Sequence, residues 1–161
     1  MQPRIENLKE IKLVGKRIKT SFAENQTASL WRSFIPSRKE IRNSTGTELY
    51  SVEIYPAGFF RNFNPETQFE KWAAAAVKDF TSVPEGMETM IIPGGLFAVF
   101  LHHGPASTVT RTYQNIIGTW VPQNGNFALD DRPHFALMGD KYQNESLDSE
   151  EELWIPVKKA A

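Results

Sequence analysis

The chain has 161 residues, of which 40% are hydrophobic and 23% charged, a balance typical of one globular domain rather than a disordered chain. Eighteen basic and nineteen acidic residues give a net charge of -1, so no overall positive field attracts a nucleic acid. The chain has no cysteine, which excludes disulfides and cysteine nucleophiles. No apolar stretch reaches the roughly 18 residues of a membrane span, and the N-terminal segment does not resemble a signal peptide. We therefore expect a cytoplasmic protein without a membrane partner.

Alternating or continuous apolar runs predict strands along most of the chain. These predicted strands are 11–20, 49–55, 87–93, 96–103, 134–138 and 152–157. We expect the first to lie at a sheet edge with Gly15 as a bulge, and Gly94-Gly95 to form the turn of a β-hairpin.

Two segments have apolar residues at helical spacing and predict helices. The first has Ala28, Trp31, Phe34 and Ile35 on one face, and the second has Val109, Tyr113, Ile116, Ile117 and Trp120.

Residues 69–80, FEKWAAAAVKDF, contain four consecutive alanines, for which propensity alone predicts a helix. An internal repeat argues against a helix, because PETQFEKWAAAAV is similar to LDSEEELWIPV. The matched residues are Glu70 with Glu152 and Trp72 with Trp154. Since Pro156 cannot lie inside a helix without distorting it, we predict that both copies are strands, the first at 69–77. The order strand, helix, strand, strand then occurs twice.

Three motifs, VPEGMETMIIPGGLFAVFLHHG, RPHF and SEEELWIPV, follow one another in this order. Together they resemble the GyrI-like small-molecule-binding family, the effector-binding domain of bacterial multidrug transcription regulators. The resemblance runs from about residue 8 to residue 158. It implies an α+β fold in which duplicated β-α-β-β units form a curved antiparallel sheet backed by two helices. We expect one domain over 1–161, with pseudo-repeats at about 8–80 and 86–158.

The resemblance also implies a groove between the repeats that binds lipophilic, often cationic, compounds and has an acidic residue at its base. The glutamate of the family's closing motif corresponds to Glu152. Many members carry another glutamate after the RPHF element, where this chain has Ala136, and the corresponding acid of the first half is Glu53. Regulators of the family also carry a helix-turn-helix ahead of this domain, whereas about ten residues precede the first predicted strand here. We expect a stand-alone member without its own DNA-binding domain and without direct nucleic-acid contact.

The closing motif predicts how a ligand would be recognised. In a strand, Glu152 and Trp154 point to one face, and Leu153, Ile155 and Val157 point to the other, where we expect the helices. A carboxylate beside an indole and away from water is destabilised, and a planar cation would relieve both groups. We expect Glu150 and Glu151 to be solvated. A solvated Glu152 beside a core Trp154 is the structural alternative.

The full set of candidate ligand-binding residues follows from the motif, the repeat and strand alternation. It consists of Glu152, Trp154, Glu53, Tyr55, Trp72, Glu70 and Phe135, and the direction of Phe135 is left open. We expect no metal site and no cofactor, because His102 and His103 are strand neighbours that point to opposite faces.

Two classes of function fit these residues. The first is a module that binds or sequesters a small amphipathic compound, or that docks on a separate protein partner as a gyrase inhibitor does. The second is implied by the resemblance, since some members hydrolyse reactive cyclopropane-type natural products with groove glutamates. In that case Glu53 and Glu152 would act as acid and base if they face each other. We favour binding, which needs fewer precisely placed groups.

Overall fold

The computed structural model describes residues 2–143 and 146–161. Within them, nine strands form one sheet whose neighbouring strands are antiparallel. The strands are β1 (Arg4–Leu8), β2 (Ile11–Thr20), β3 (Leu49–Ile54), β4 (Phe69–Ala76), β5 (Glu88–Ile92), β6 (Gly95–His103), β7 (Phe127–Leu129), β8 (His134–Met138) and β9 (Glu150–Lys159).

Two helices accompany the sheet. Helix α1 (Thr27–Phe34) continues into a 3-10 turn, Ile35–Glu40. Helix α2 (Val109–Asn115) follows a 3-10 turn, Ala106–Thr108, and continues through a π-helical turn, Ile116–Trp120, into the short α3 (Val121–Gln123). None of the helices in the described part of the chain has the length and apolar character needed to span a membrane.

The predicted order of elements is confirmed. Strand, helix, strand, strand occurs once as β2, α1, β3 and β4, and again as β6, α2, β8 and β9. The fold is α+β with the predicted curved antiparallel sheet. The boundaries of the two pseudo-repeats stay a prediction.

The sheet curves into a closed circuit of strands. Eight of its strands follow the order β1-β6-β9-β8-β3-β4-β2-β5, and β7 pairs with the end of β9. The strands at the two ends belong to two long segments, 4–20 and 88–103, which pair with each other. Leu8 lies opposite Gly95 and Ile11 opposite Ile92. The pairing register of β1 with β6 therefore continues without a shift into the pairing of β2 with β5. The pairing connects the two halves of the molecule and closes the sheet.

The predicted hairpin at Gly94-Gly95 is wrong. Strand β5 pairs with β2, whereas β6 pairs with β1 and β9. Gly95 has a φ of +145°, which favours glycine, and a Cβ atom there would lie 2.8 Å from Nη1 of Arg132. The two glycines therefore bend one long segment instead of reversing it.

The predicted strand 11–20 is confirmed as β2, but its predicted position at the sheet edge and the predicted bulge at Gly15 are wrong. The register of β2 with β4 runs unbroken through Gly15, which lies opposite Ala74, and β2 has β5 on its other side. A Cβ atom at Gly15 would lie 2.1 Å from the carbonyl oxygen of Ala73. Close approach of the two strands is the reason for glycine at this position.

The alanine run forms a strand, as predicted against propensity. Strand β4 spans Phe69–Ala76, and Ala73, Ala74 and Ala75 are buried. Helix α1 packs against β2 and β4, and the small alanine side chains permit this contact.

The sheet has two faces with different cores, because successive strand residues point in opposite directions. The inner face, which is concave, carries a single cluster: Leu13, Val52, Trp72, Ala74, Ile92, Phe97, Val99, Phe135 and Trp154. The opposite face is here called the helix face. Val14, Ala73, Ala75 and Val77 pack there with Leu30 and Phe34 of α1. Ala98, Phe100, Ala136, Leu153, Ile155 and Val157 pack there with Ile116, which follows α2.

The predicted face of the second helix is confirmed, since Val109, Tyr113, Ile116, Ile117 and Trp120 all pack on the helix face. The face predicted for the first helix is partly wrong. Its buried residues are Leu30 and Phe34, whereas Ala28 is exposed and Ile35 is 50% exposed. The reason is the spacing of four residues between Leu30 and Phe34, which fixes the buried stripe.

Candidate functional site

Three of the predicted site residues are rings of the inner face. Trp72, Trp154 and Phe135 are 4%, 7% and 3% exposed. The rings of Phe135 and Trp154 stack, with centroids 5.2 Å apart and an interplanar angle of 14°. Phe135, whose direction the sequence left open, therefore shares the face of Trp154.

The carboxylates of the two Glu-x-Trp motifs have partners from the chain itself. Glu152 accepts hydrogen bonds from Nε1 of Trp154 at 3.1 Å and from Arg4 at 2.9 Å. The Arg4 guanidinium also lies 5.7 Å from the centre of the Trp154 ring. The planar cation predicted for a carboxylate beside an indole is thus supplied by Arg4.

The first half repeats this arrangement. Glu70 accepts hydrogen bonds from Nε1 of Trp72 at 2.7 Å and from Arg17 at 2.7 Å. Arg17 also pairs with Glu88 at 2.9 Å. Both motifs of the inner face are therefore compensated within the protein.

Glu53 and Tyr55 lie on the other side of the sheet. Val52 pairs with Phe135, which pairs with Trp154, so Val52 belongs to the inner face and Glu53 to the helix face. Glu53 and Glu152 do not face each other, because the sheet lies between them, so the condition for their acting as an acid–base pair is not met.

A buried ion pair occupies the helix face of β3 and β4. The Nζ atom of Lys71 donates to Oε2 of Glu53 at 2.7 Å, and the two side chains are only 14% and 13% exposed. The two residues lie directly opposite each other in the β3–β4 ladder.

Glu151 is the second carboxyl group of the helix face, and its prediction as a solvated residue is wrong. It is 7% exposed and shares its side of β9 with Leu153. Burial, and next the charge of Glu53, raise the pKa of the Glu151 carboxyl from 4.5 to about 7, while the charge of Lys71 opposes the shift. Within residues 2–143 and 146–161, only burial and the charges of Glu53 and Lys71 act on this carboxyl group. His102 lies directly opposite Glu151, but its ring nitrogens form hydrogen bonds with Thr112 and Pro105. Glu150, by contrast, is partly exposed and lies 3.6 Å from Lys141.

Small side chains separate Glu151 from the Glu53–Lys71 pair. Ser51 lies opposite Ala73 on one side and Ala136 on the other, and Ala136 lies opposite Leu153. The side chains of Ser51, Ala73 and Ala136 are buried but small. The carboxyl groups of Glu53 and Glu151, on either side of them, therefore lie within electrostatic reach of each other.

Aromatic rings from the long β3–β4 connection cover this part of the sheet. Tyr55 has its ring centroid 4.7 Å from Phe59, 4.8 Å from Phe60 and 4.9 Å from Phe69. We call the group Phe22, Tyr55, Phe59, Phe60, Phe63 and Phe69 the aromatic cover. Long connections without regular structure are uncommon in compact domains and are often functional.

The second half contributes polar groups to the same place. The Tyr113 hydroxyl of α2 forms a hydrogen bond with Nδ1 of His134, and the Tyr55 ring lies 5.0 Å from the His134 ring. Burial lowers the pKa of His134 to about 3, and the charge of Arg132 contributes, so the imidazole is neutral. Burial also raises the pKa values of Tyr55 and Tyr113 well above their ordinary range, so both hydroxyls stay protonated.

We define the interhelical site as Glu53, Tyr55, Lys71, Tyr113, His134 and Glu151. It combines two carboxyl groups, one ammonium group, a neutral imidazole and two phenols between the clusters of α1 and α2. Such a site can hold a cation against a carboxylate and an aromatic body against rings.

An open groove with a volume of about 740 Å³ lies elsewhere. It runs between the N-terminal segment and α2–α3, and is lined by Gln2, Pro3, Ile5, Asn115, Thr119, Trp120, Gln123, Asn124, Asn126 and Phe127. None of these side chains is titratable. We place the candidate site at the interhelical site, because charge and buried polar groups converge there.

Sequence reasoning missed Glu151, Lys71, Tyr113 and His134 as site residues. Strand alternation did contain a signal for the first, since it places Glu151 with Leu153 on the side of the helices. A signal for Lys71 was its spacing of two from Ala73, which places both on the face that α1 approaches.

A family model described as the GyrI-like small molecule binding domain matches residues 1–158. Transcriptional regulator BrlR of Pseudomonas aeruginosa is 27% identical over 126 residues, which cover 78% of this chain and 44% of BrlR. The chain thus spans less than half the length of this curated relative.

Two solved structures share the fold. SAV2435 bound to tetraphenylphosphonium has a TM-score of 0.74 at 15% identity, covering 98% of this chain and 94% of that one. A hydrolase encoded by lin2189 from Listeria innocua has a TM-score of 0.58 at 13% identity, covering 98% and 92%. At such identities the likeness concerns the fold. The family match covers nearly the whole chain, and the protein belongs to the GyrI-like small-molecule-binding family.

Proposed function

We propose that the protein binds a lipophilic aromatic cation at the interhelical site, with Glu151 as the charge anchor. The observation that carries the proposal is a buried Glu151 carboxyl without a partner among the described residues, beside an ion pair that already compensates Glu53. Tyr55 and Tyr113 would contact the aromatic body of the ligand.

A cation would change the energetics of this site. At a separation of about 4 Å and an effective dielectric of about 20, its attraction to one carboxylate is about 4 kcal/mol. Contact of the cation with an aromatic ring adds roughly 0.5–2 kcal/mol. A ligand cation would gain less at Glu152, because this carboxylate already accepts hydrogen bonds from Arg4 and Trp154.

Binding of this kind supports sequestration or sensing of the compound. Tetraphenylphosphonium, the ligand of the similarly folded SAV2435, is a suitable probe, because it joins one positive charge to four rings. The prediction of Glu152 and Trp154 as ligand contacts is replaced in this proposal by Glu151 and the rings of the helix face.

The test is a calorimetric titration of the protein with tetraphenylphosphonium and with its neutral analogue triphenylphosphine oxide. Near pH 6 the Glu151 carboxyl is mostly protonated, because its pKa is about 7. A bound cation should ionise it, so binding should release up to about one proton, and affinity should fall as the pH drops through the pKa. Glu53, Lys71 and the neutral His134 face the same part of the sheet, and His102 lies directly opposite Glu151 in the β6–β9 ladder. Loss of the pH dependence in Glu151→Gln would therefore assign it to Glu151. The neutral analogue should release no proton.

Proton release is measured by repeating the titration in buffers of different ionisation enthalpy. Cation binding that is independent of pH between about 6 and 8 would place the anchor elsewhere. The absence of any saturable cation binding would contradict the proposed function.

Hydrolysis is a second candidate, favoured by the placement of Glu53 and Glu151 on one face. Glu151, with its raised pKa, would donate a proton, and Glu53 would accept one from an attacking water. For a cyclopropane-type substrate, water would add across the opened ring, which mass spectrometry detects as a gain of one water. Loss of turnover in both Glu53→Gln and Glu151→Gln would support hydrolysis, and unchanged substrate after long incubation would exclude it for that compound.

A further inference from the structure

The interhelical site has two carboxyl groups but only one ammonium group among its six residues. Glu53 and Glu151 are two acids, and Lys71 is the one base among the six residues of the site. His134 is neutral because burial lowers its pKa to about 3, and burial keeps both tyrosines protonated. With both carboxyl groups ionised, the site therefore carries one net negative charge.

Lys71 cannot readily leave Glu53. The lysine lies on β4 between Glu53 of β3 and Ile18 of β2, so its neighbour on the other side is apolar. Its side chain is only 14% exposed, and the Nζ–Oε2 distance is 2.7 Å. Moving the ammonium group away would leave the buried Glu53 carboxylate without compensation, which is costly.

We propose that Lys71 acts as a resident cation that makes the site select ligands with a single positive charge. The inference rests on the proposed binding of cations at this site. Lys71 compensates one of the two acids, and the ligand compensates the other. A second positive charge on the ligand would be repelled by the ammonium group of Lys71 and would find no carboxylate left to compensate it. An anionic ligand would be repelled by the Glu151 carboxylate. Lys71 is thus a residue that determines the charge number of the ligand.

The test compares two planar ligands of nearly equal size and shape. N-methyl-4-phenylpyridinium carries one positive charge, and N,N′-dimethyl-4,4′-bipyridinium carries two. Their dissociation constants are measured by calorimetry at about pH 8, above the Glu151 pKa of about 7. The proteins are the wild type, Lys71→Met, Glu53→Gln and the double variant Lys71→Met/Glu53→Gln.

Lys71→Met raises the net charge of the site to two negatives. It should improve the affinity for the dication relative to the monocation by at least about ten-fold, which corresponds to about 1.4 kcal/mol. Glu53→Gln leaves the site neutral and should weaken the monocation by about ten-fold. The double variant has the same net charge as the wild type, so its affinities and its preference for the monocation should return to those of the wild type.

The outcomes separate this inference from the proposed function. If the wild type binds neither ligand, the proposed function fails. If the wild type binds the monocation but Lys71→Met keeps the wild-type preference, Lys71 does not select charge and the inference is overturned. Should Lys71→Met fail to fold, the comparison of Glu53→Gln with the double variant decides. Recovery of monocation binding in the double variant supports the inference, and equal weakness of both variants overturns it.

Discussion

Glu151 and Glu152 are adjacent in the chain but lie on opposite faces of β9. Glu152, on the inner face, accepts from Arg4 and from the Trp154 indole at 2.9 and 3.1 Å. Glu151, on the helix face, is 7% exposed and has only electrostatic neighbours among the described residues. A carboxylate beside an aromatic ring is therefore not by itself a ligand site. The informative carboxyl is the one that the fold buries without compensating it.

The two faces also differ in symmetry. On the inner face, both halves of the molecule repeat the same carboxylate, indole and arginine arrangement, with Glu70 and Arg17 in the first half. On the helix face, one half supplies Glu53 and Lys71, and the other supplies Glu151. The repeated part compensates its own carboxylates, and the part that differs between the halves has the uncompensated charge.

The largest expected effect is on the inner face. Trp154→Ala should lower the free energy of unfolding by about 3–5 kcal/mol, because it removes a ring that is 7% exposed and stacked on Phe135. Urea unfolding followed by circular dichroism measures the loss. Trp154→Phe is the matched control and should cost less, since it keeps a ring and removes the hydrogen bond to Glu152. A loss below about 1 kcal/mol for the alanine variant would mean that Trp154 is not part of the core.

The second effect concerns the pH dependence of stability on the helix face. The pKa of Glu151 rises from 4.5 to about 7 on folding, so its contribution to stability is fully present below 4.5 and lost as the pH rises through 7. His134 acts in the opposite direction, because its lowered pKa reduces stability as the pH falls from 6.5 toward about 3. The two effects overlap, and only a comparison of variants at equal pH separates them.

Glu151→Gln should therefore match the wild type near pH 4.5 and exceed its unfolding free energy by up to about 3 kcal/mol near pH 8. Urea unfolding at both pH values tests this, and His134 is the same in the two proteins. Glu152→Gln is the control and should show no such gain at pH 8. A wild type that is more stable than Glu151→Gln at pH 8 would indicate a compensating partner for Glu151.

The smallest expected effect is that of the Arg4–Glu152 pair. The two side chains are 50% and 28% exposed, so solvent screens their attraction. A double-mutant cycle with Arg4→Met and Glu152→Gln should give a coupling energy of about 0.2–1 kcal/mol that weakens with salt. A coupling above about 2 kcal/mol would show that the inner face also depends on a strong charge interaction.

The fold was predictable because its pattern occurs twice. The Glu-x-Trp repeat identified β4 as a strand in spite of its four alanines, and the structure confirms it. The turn at Gly94-Gly95 was not predictable from local chemistry, because two glycines permit a reversal and a bend equally. Only the pairing of 4–15 with 88–99, far apart in the chain, decides between them.

The candidate site was predictable only in part. Strand alternation correctly grouped Glu53 with Tyr55 and Glu152 with Trp154, but it does not say which side of the sheet is open. The sequence also suggested that helices seal the side of Leu153. The two helices leave the helix face of β3 between their clusters, and the aromatic cover fills the gap. Where the helices lie depends on tertiary packing, which a single sequence does not contain.

The most direct test of the account is the affinity of tetraphenylphosphonium for Glu151→Gln and Glu152→Gln, measured side by side by calorimetry at about pH 8. The two substitutions remove one charge each from neighbouring residues on opposite faces. We expect Glu151→Gln to weaken binding by about ten-fold or more, about 1.4 kcal/mol, and Glu152→Gln to leave it within about two-fold. A large loss in Glu152→Gln with unchanged binding in Glu151→Gln would contradict the account and place the ligand on the inner face.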